Sequence, residues 1–188
     1  ENQQYIHYQK GGLVMYLLRD QLGEDAVNRA LQRVLAQYAF KGAPYPRSLD
    51  LVAALRAEAP ADKQALITDL MEKITLYDIK TTGVTATRRA DGRWDVAVTV
   101  DARKLYADGK GVETAAPLNE SIDVGLFAAE PGTGRFNPED VILLERRLIR
   151  TGVQTLRFIT TREPKFGGAD PYNKWIDRNS DDNVRAVG

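Results

Sequence analysis

The chain has no cysteine and a single histidine among its 188 residues. Without cysteine it can form no disulfide, offers no thiolate to a metal and has no thiol nucleophile. The absence does not fix the compartment, because a cysteine-free chain is stable in oxidising and reducing surroundings alike. The lone histidine, His7, falls short of the two or three that most zinc hydrolase sites use. It also cannot make an H-E-x-x-H helix, so this chain by itself is not expected to hold a catalytic zinc ion.

The chain also lacks net charge and long apolar segments. Its 26 Lys and Arg balance its 26 Asp and Glu, whereas a nucleic-acid-binding protein normally carries a basic excess or stripe. Nucleic acid is therefore not an expected partner. The longest apolar run, residues 13–18, is far shorter than the roughly 20 residues of a membrane-spanning helix, and no secretory signal is visible. Apolar residues make up 43% of the chain, which is enough for a folded core in one domain or two small ones.

The first half of the chain has a helical pattern. Ala, Leu, Arg, Gln and Glu dominate residues 5–77, and turn signals divide this stretch into about four helices. Gly23 is expected to end the first helix, Ser48 to cap the third and Asp62 to begin the fourth. The second helix is expected to bury one stripe, formed by Val27, Leu31, Val34, Leu35 and Tyr38. The fourth is expected to turn these residues inward: Leu66, Ile67, Leu70, Met71 and Ile74.

The second half, residues 78–188, changes to strand spacing. Val96, Val98 and Val100 alternate with polar or small residues, and an Asp-Gly pair before them is a two-residue hairpin signal. Further strands are predicted at three places: 122–128, 141–149 and 155–161. The tail from residue 167 is expected to be ordered, with Tyr172, Trp175 and Ile176 packed on the strands. The fold class is therefore α+β, with a helical domain over 1–77 followed by an antiparallel immunoglobulin-like β-sandwich over 78–188.

The start of the first helix is unusual. Gly11 and Gly12 each cost a helix interior about 1 kcal/mol relative to alanine, and close approach of another backbone is a physical reason to keep them. The run 13–18 is apolar on almost every side, as in a helix buried in a larger protein. The chain also begins without an initiator methionine, so we expect it to be a piece of something longer. Its isolated form is expected to self-associate through residues 5–22.

Tyr8-Gln9-Lys10-Gly11, opening an apolar helix that ends in Leu-Gly, resembles the zinc aminopeptidases of the aminopeptidase N type, the gluzincins. The resemblance extends to Tyr38, continues at Asp50-Leu51 and suits a small β-domain after the helical end of the catalytic domain. Gln9 departs from the Glu found in many relatives. More narrowly, residues 5–12 and 170–179 resemble bacterial forms fused behind an ABC-type permease.

The resemblance implies a catalytic role for Tyr8, whose hydroxyl would donate a hydrogen bond to the oxyanion of the tetrahedral intermediate. A phenol is protonated at neutral pH and donates well, and losing one such donor typically costs about 100- to 1000-fold in rate. The resemblance also implies zinc in the full-length parent, but the H-E-x-x-H motif, the later Glu and the Gly-x-Met-Glu-Asn strand are absent here. No metal ligand or cofactor-binding residue is therefore assigned in this chain.

The implied partners are the upstream catalytic half of the same polypeptide and a peptide substrate. The implied location is the bacterial inner membrane for the parent, with this portion soluble. The alternative function is a non-catalytic interaction or scaffold module of a permease-linked protein, because a fold of this kind does not fix a function. An upstream H-E-x-x-H helix, or its absence, would discriminate between the two.

Each candidate residue also has a structural interpretation. Tyr8 could simply cover core at a helix start, Lys10 could solvate that start, and His7 is more often a packed or solvated side chain than a ligand. Four acidic residues of the tail could gather around Ca²⁺, which prefers oxygen ligands. A solvated acidic tail is the simpler interpretation of that set: Asp170, Asp177, Asp181 and Asp182.

Overall fold

The computed structural model describes the backbone of residues 5–188 and the side chains of residues 8–188. Within this range, four α-helices precede eight β-strands. The chain divides into two compact units between Thr75 and Leu76. The fold is α+β, with the helices first and antiparallel sheets after them, as the two hydrophobic periodicities predict.

A π-helical segment, Tyr5–Lys10, leads directly into the first α-helix. The α-helices are α1 Gly11–Leu22, α2 Glu24–Tyr38, α3 Ser48–Glu58 and α4 Gln64–Met71. Gly23 ends α1 with φ of 90°, and its N–H donates to the carbonyl of Arg19 at 2.9 Å. This positive φ is one that glycine adopts without a Cβ penalty, so the predicted stop is confirmed.

Two predicted helix starts are displaced. Ser48 is the first residue of α3, and Arg47 is the cap because its backbone N–H donates to the Asp50 carboxylate at 2.7 Å. The fourth helix begins at Gln64, since a 3-10 turn over Ala61–Lys63 occupies the predicted start at Asp62. At α3 the Asp50 carboxylate completes the cap, and before α4 the Lys63 N–H donates to the Pro60 carbonyl at 3.0 Å.

The core of the helical unit is built from short stretches of each helix. Its buried apolar side chains are Val14, Leu17, Leu18, Ala26, Val27, Ala30, Val52, Ala54, Leu55, Leu66, Ile67 and Leu70. The stripe predicted for α2 is wrong in part, because Leu31 and Leu35 are exposed while Ala26 and Ala30 turn inward. Small alanines allow neighbouring helices to approach, which sets the face that α2 buries.

Two further burial predictions fail at the ends of the helical unit. Ile74 belongs to the first strand and is 47% exposed. Helix α1 is not buried on all sides, because Leu13 and Tyr16 are 45% and 49% exposed. Gly12 has no atom within 4 Å of the position that a Cβ would take. The described part of the chain therefore supplies no close backbone neighbour for Gly12.

The strands are β1 Ile74–Arg88, β2 Trp94–Ala107, β3 Glu113–Ala116, β4 Asn119–Phe127, β5 Val141–Arg150, β6 Gly152–Thr160, β7 Phe166–Ala169 and β8 Val184–Ala186. They form two four-stranded sheets. In one sheet β2 pairs with β1, β3 and β6, and in the other the order is β5-β4-β7-β8. The predicted strands at 122–128, 141–149 and 155–161 correspond to β4, β5 and β6.

The alternation predicted for β2 is confirmed. Val96, Val98 and Val100 are all buried, and β2 pairs antiparallel with β6 so that Val98 lies opposite Leu156. The turn before β2 is longer than two residues, because the connection runs over 89–93 and closes with the Arg89 N–H donating to the Arg93 carbonyl at 2.8 Å.

The tail is part of the sheet unit rather than a covering on it. It contributes β7 and β8, which were not predicted from the sequence. The hydroxyl of Thr81 on β1 donates to the Asn183 carbonyl at 2.6 Å and accepts the Ala169 N–H at 3.1 Å. Trp175 is buried as predicted, whereas Tyr172 is 39% exposed beside Phe127. One buried hydroxyl thus ties β1 to both parts of the tail.

Candidate functional site

The phenol of Tyr8 lies at the mouth of an apolar groove in the helical unit. Tyr8 is 73% exposed, in the π-helical segment immediately before α1. A π-helical turn of this kind is rare and occurs often at functional sites. The side chain is therefore largely open to solvent.

The groove beside Tyr8 has a volume of about 620 Å³. Its apolar wall comes from α1, α3 and α4, through Val14, Leu51, Leu70 and Met71. Gly12 also lines it, and because glycine has no side chain, the start of α1 leaves the groove open. The combination of an aromatic hydroxyl and an apolar wall is typical of a ligand-binding cleft.

Among the residues whose side chains are described, Lys10 and Lys73 are the charged ones that line the groove. A lysine ammonium of this kind can contact a carbonyl or carboxylate oxygen of a ligand. Lys10 is half-buried at the start of α1. The sequence suggested that Lys10 solvates the helix start, and in the structure Lys10 also lines the groove.

Among residues 8–188, whose side chains are described, no cluster of three His, Cys, Asp or Glu side chains is arranged to hold a metal ion. The side chain of His7 lies outside that range, and residues 1–4 lie outside the described backbone. The groove residues therefore offer a hydrogen-bond donor and cations, but they do not fit a zinc-binding set.

The acidic residues of the tail have structural partners. The Asp170 carboxylate accepts the backbone N–H groups of Lys174 and Trp175, both at 2.9 Å, and Asp170 itself is 1% exposed. Burial raises the pKa of Asp170 from 3.8 to about 7, against the lowering effect of those two N–H donors. These bonds fold the tail back on itself, which is a stabilising role rather than a ligand-binding one.

Asp177 also accepts backbone N–H groups, further along the tail. Its carboxylate accepts the Ile79 N–H and the Asn179 N–H, each at 3.2 Å, so it ties the tail to β1. Burial raises the pKa of Asp177 to about 6. Asp182 pairs with Lys80 at 3.5 Å, and Asp181 is exposed. The solvated acidic tail expected from the sequence is therefore wrong for Asp170 and Asp177, which fold inward to bind backbone groups.

A second groove, of about 520 Å³, lies on the sheet unit and is lined by charged residues of both signs. Its cations are matched within the chain: Lys80 with Asp182 at 3.5 Å, Arg103 with Asp101 at 3.1 Å, and Arg178 with Glu113 at 2.6 Å. Because these charges already offset one another, the groove presents no concentrated field to a ligand.

No protein-family model matches this chain, and no curated protein matches it either. The functional interpretation therefore depends on the residues themselves. Sequence reasoning selected Tyr8 and placed Leu70 and Met71 on an inward face, but it did not predict that they and Lys73 line one groove with Tyr8. No local pattern shows that α3 and α4 line a groove with Tyr8, because these helices reach it only through tertiary packing. No helix in the described part of the chain is both long and apolar enough to cross a membrane.

Proposed function

We propose that this chain is the C-terminal part of a zinc-dependent aminopeptidase of the aminopeptidase N type, closest to bacterial forms fused to an ABC-type permease. On this proposal Tyr8 donates a hydrogen bond to the oxyanion that forms when water adds to the scissile peptide carbonyl. The exposure of the Tyr8 side chain beside an open apolar groove supports the proposal, since a hydroxyl must reach substrate to act on it.

The groove suits a peptide in two respects. Apolar walls from Leu51, Leu70 and Met71 can bury an aliphatic or aromatic side chain of the substrate. Lys10 also lines the groove, and its ammonium can contact peptide carbonyl or carboxylate oxygens. A phenol held at the mouth of such a groove would be close to a backbone carbonyl of the bound peptide.

On this proposal the zinc ion is held by a part of the polypeptide upstream of this chain. The described side chains do not fit zinc, and we derive no catalytic step through a metal from this chain. The upstream half of the same polypeptide would carry the zinc ligands and the general base, and would cover the exposed face of α1. The isolated chain is accordingly expected to cleave no peptide bond.

The sheet unit would support the helical part. We propose that its two sheets form an immunoglobulin-like sandwich, a fold that commonly carries neighbouring domains without chemistry of its own. In the bacterial parent this portion would lie outside the bilayer, next to the inner membrane that holds the permease.

The deciding experiment is Tyr8→Phe in the full-length parent. The substitution removes one hydroxyl and keeps the ring, so kcat for aminoacyl-p-nitroanilide hydrolysis should fall about 100- to 1000-fold while KM changes little. Tyr16→Phe is the matched control, because Tyr16 is also an exposed tyrosine of the same helical stretch and does not line the groove. Near-normal turnover in Tyr8→Phe would remove Tyr8 from the mechanism.

The second candidate function is a non-catalytic interaction or scaffold module of a permease-linked protein. It is favoured by the exposed apolar side chains of Leu13 and Tyr16 on α1, which form a ready contact surface. The two candidates differ upstream of this chain. A parent gene that encodes no H-E-x-x-H helix before Tyr8 would favour the scaffold and exclude the peptidase.

A further inference from the structure

The loop that joins α2 to α3, residues 39–47, carries the most exposed aromatic side chain in the described part of the chain. Phe40 is 109% exposed, and Tyr45 in the same loop is 73% exposed. Large apolar side chains that contact nothing are costly in water and commonly mark an interaction site. We refer to residues 39–47 as the aromatic loop.

Two leucines extend this apolar surface onto the flanking helices. Leu35, in the last turn of α2, is 61% exposed, and Leu49, in the first turn of α3, is 59% exposed. The two helices run antiparallel, because Arg29 Nε on α2 donates to Glu58 at the far end of α3 at 2.8 Å. The loop and both leucines therefore lie at one end of the helical pair, away from Glu58.

The charge at this end is positive. Lys41 and Arg47 are the charged residues of the aromatic loop, and the Lys41 ammonium donates to the Ala36 carbonyl at 3.3 Å. The nearest acidic residue along the chain, Asp50, accepts the Arg47 backbone N–H at 2.7 Å and lies 3.7 Å from Arg47 Nε. The Arg47 N–H lowers the pKa of Asp50. The side chain of Arg47 is nevertheless 74% exposed, and Lys41 is exposed as well.

Protruding aromatics beside lysine and arginine fit a bilayer surface better than another protein. A stable protein interface needs about 800 Å² of complementary surface on each partner, which four apolar side chains at the end of a helical pair do not supply. A bilayer requires no matching shape: aromatic rings enter the headgroup region, and basic side chains contact anionic lipid.

We propose that the aromatic loop binds the surface of an anionic lipid bilayer, with Phe40 and Tyr45 inserted into the headgroup region and Lys41 and Arg47 on the lipid phosphates. The inference does not depend on the peptidase proposal, because it uses no residue of the groove and no catalytic step. It places the loop end of the α2–α3 pair against the membrane.

Co-sedimentation of the purified chain with vesicles tests the proposal. Binding is expected with equal parts of phosphatidylglycerol and phosphatidylcholine at low salt, and it should weaken with salt and with phosphatidylcholine alone. Phe40→Ala with Tyr45→Ala should weaken it about tenfold or more. Lys41→Gln should weaken it about fivefold, and Lys110→Gln, an exposed lysine of the β2–β3 turn, should leave it unchanged.

Val153→Ala is the apolar control, because Val153 is 70% exposed on β6 and lies outside the loop. Absence of binding to the anionic vesicles would overturn the proposal. So would an equal loss of binding in Val153→Ala and in the loop variant, with circular dichroism confirming that both are folded. If the loop substitutions abolish self-association and leave vesicle binding intact, the loop is a protein interface and the membrane assignment is wrong.

Discussion

The ring of Trp175 stands edge-on to the ring of Tyr77, with centroids 5.0 Å apart and planes inclined at 72°. Tyr77 and Trp175 are 1% and 4% exposed, and they join the first strand of the sheet unit to a tail about a hundred residues later. Edge-to-face pairs of this geometry stabilise a fold beyond the burial of their surface. This contact therefore explains how a tail without regular hydrophobic periodicity becomes ordered.

Trp175→Ala should destabilise the sheet unit by about 3–5 kcal/mol, because it leaves a cavity beside Tyr77. Both tryptophans, Trp94 and Trp175, lie in the unit Leu76–Gly188, so fluorescence during urea unfolding reports on that unit. Trp94 remains as the reporter in the variant. Trp94→Ala, at a half-buried position, should cost clearly less, and an equal cost for the two would contradict the assigned role of the pair.

Gly168→Ala should also destabilise the sheet unit, by about 3 kcal/mol or enough to prevent folding. A Cβ at Gly168 would collide with the Asn183 carbonyl oxygen and would stand 2.8 Å from the Val184 Cα, both backbone atoms of the neighbouring segment. Gly83→Ala is the matched control on β1, since a Cβ there meets no atom within 4 Å. If Gly168→Ala unfolds at the urea concentration of Gly83→Ala, β7 and β8 do not pair as described.

The stability of the sheet unit should depend on the protonation of Asp170. Its pKa is raised by burial from 3.8 to about 7 in the folded state, so the folded state holds a proton that the unfolded state releases. This contribution to stability is fully present below about pH 4 and is lost as the pH rises towards 7. Asp177 titrates in the same sense, with a pKa of about 6.

Asp170→Asn isolates the contribution of Asp170. The urea midpoint of the unmodified chain should fall between pH 4.5 and 7.5, and the fall should be smaller in the variant because Asn does not titrate. Asp181→Asn, at an exposed position of the same tail, is the control and should follow the unmodified chain. An identical pH dependence in Asp170→Asn and the unmodified chain would show that this carboxyl is ionised throughout.

The chain should self-associate through residues 5–22. Leu13 and Tyr16 are 45% and 49% exposed on the outer face of α1, and burying them between copies would remove apolar surface from water. Leu13→Lys with Tyr16→Lys should shift the protein to monomer in light scattering. Ile159→Lys, at an exposed apolar residue of β6, should not; a monomer at high concentration in the unmodified chain would contradict the prediction.

The candidate site was predictable in part. Tyr8 and Lys10 stand together in the sequence before an apolar helix, so a single segment carries their signal. Leu70 and Met71 were assigned to an inward face of the fourth helix, and both also line the groove beside Tyr8. Whether an apolar residue completes a core or lines a cleft depends on the neighbouring helix, and no local pattern contains that information.

What the sequence alone determined is local. The alternation through Val96 and Val98 fixed a strand with one buried face, and Gly23 fixed a helix end, because each depends only on side-chain periodicity or backbone freedom within a few residues. The tertiary structure decided which face of α2 is buried, and that Asp170 folds inward instead of facing water. Those outcomes depend on the partners that distant segments bring, and burial free energy is gained only when such partners meet.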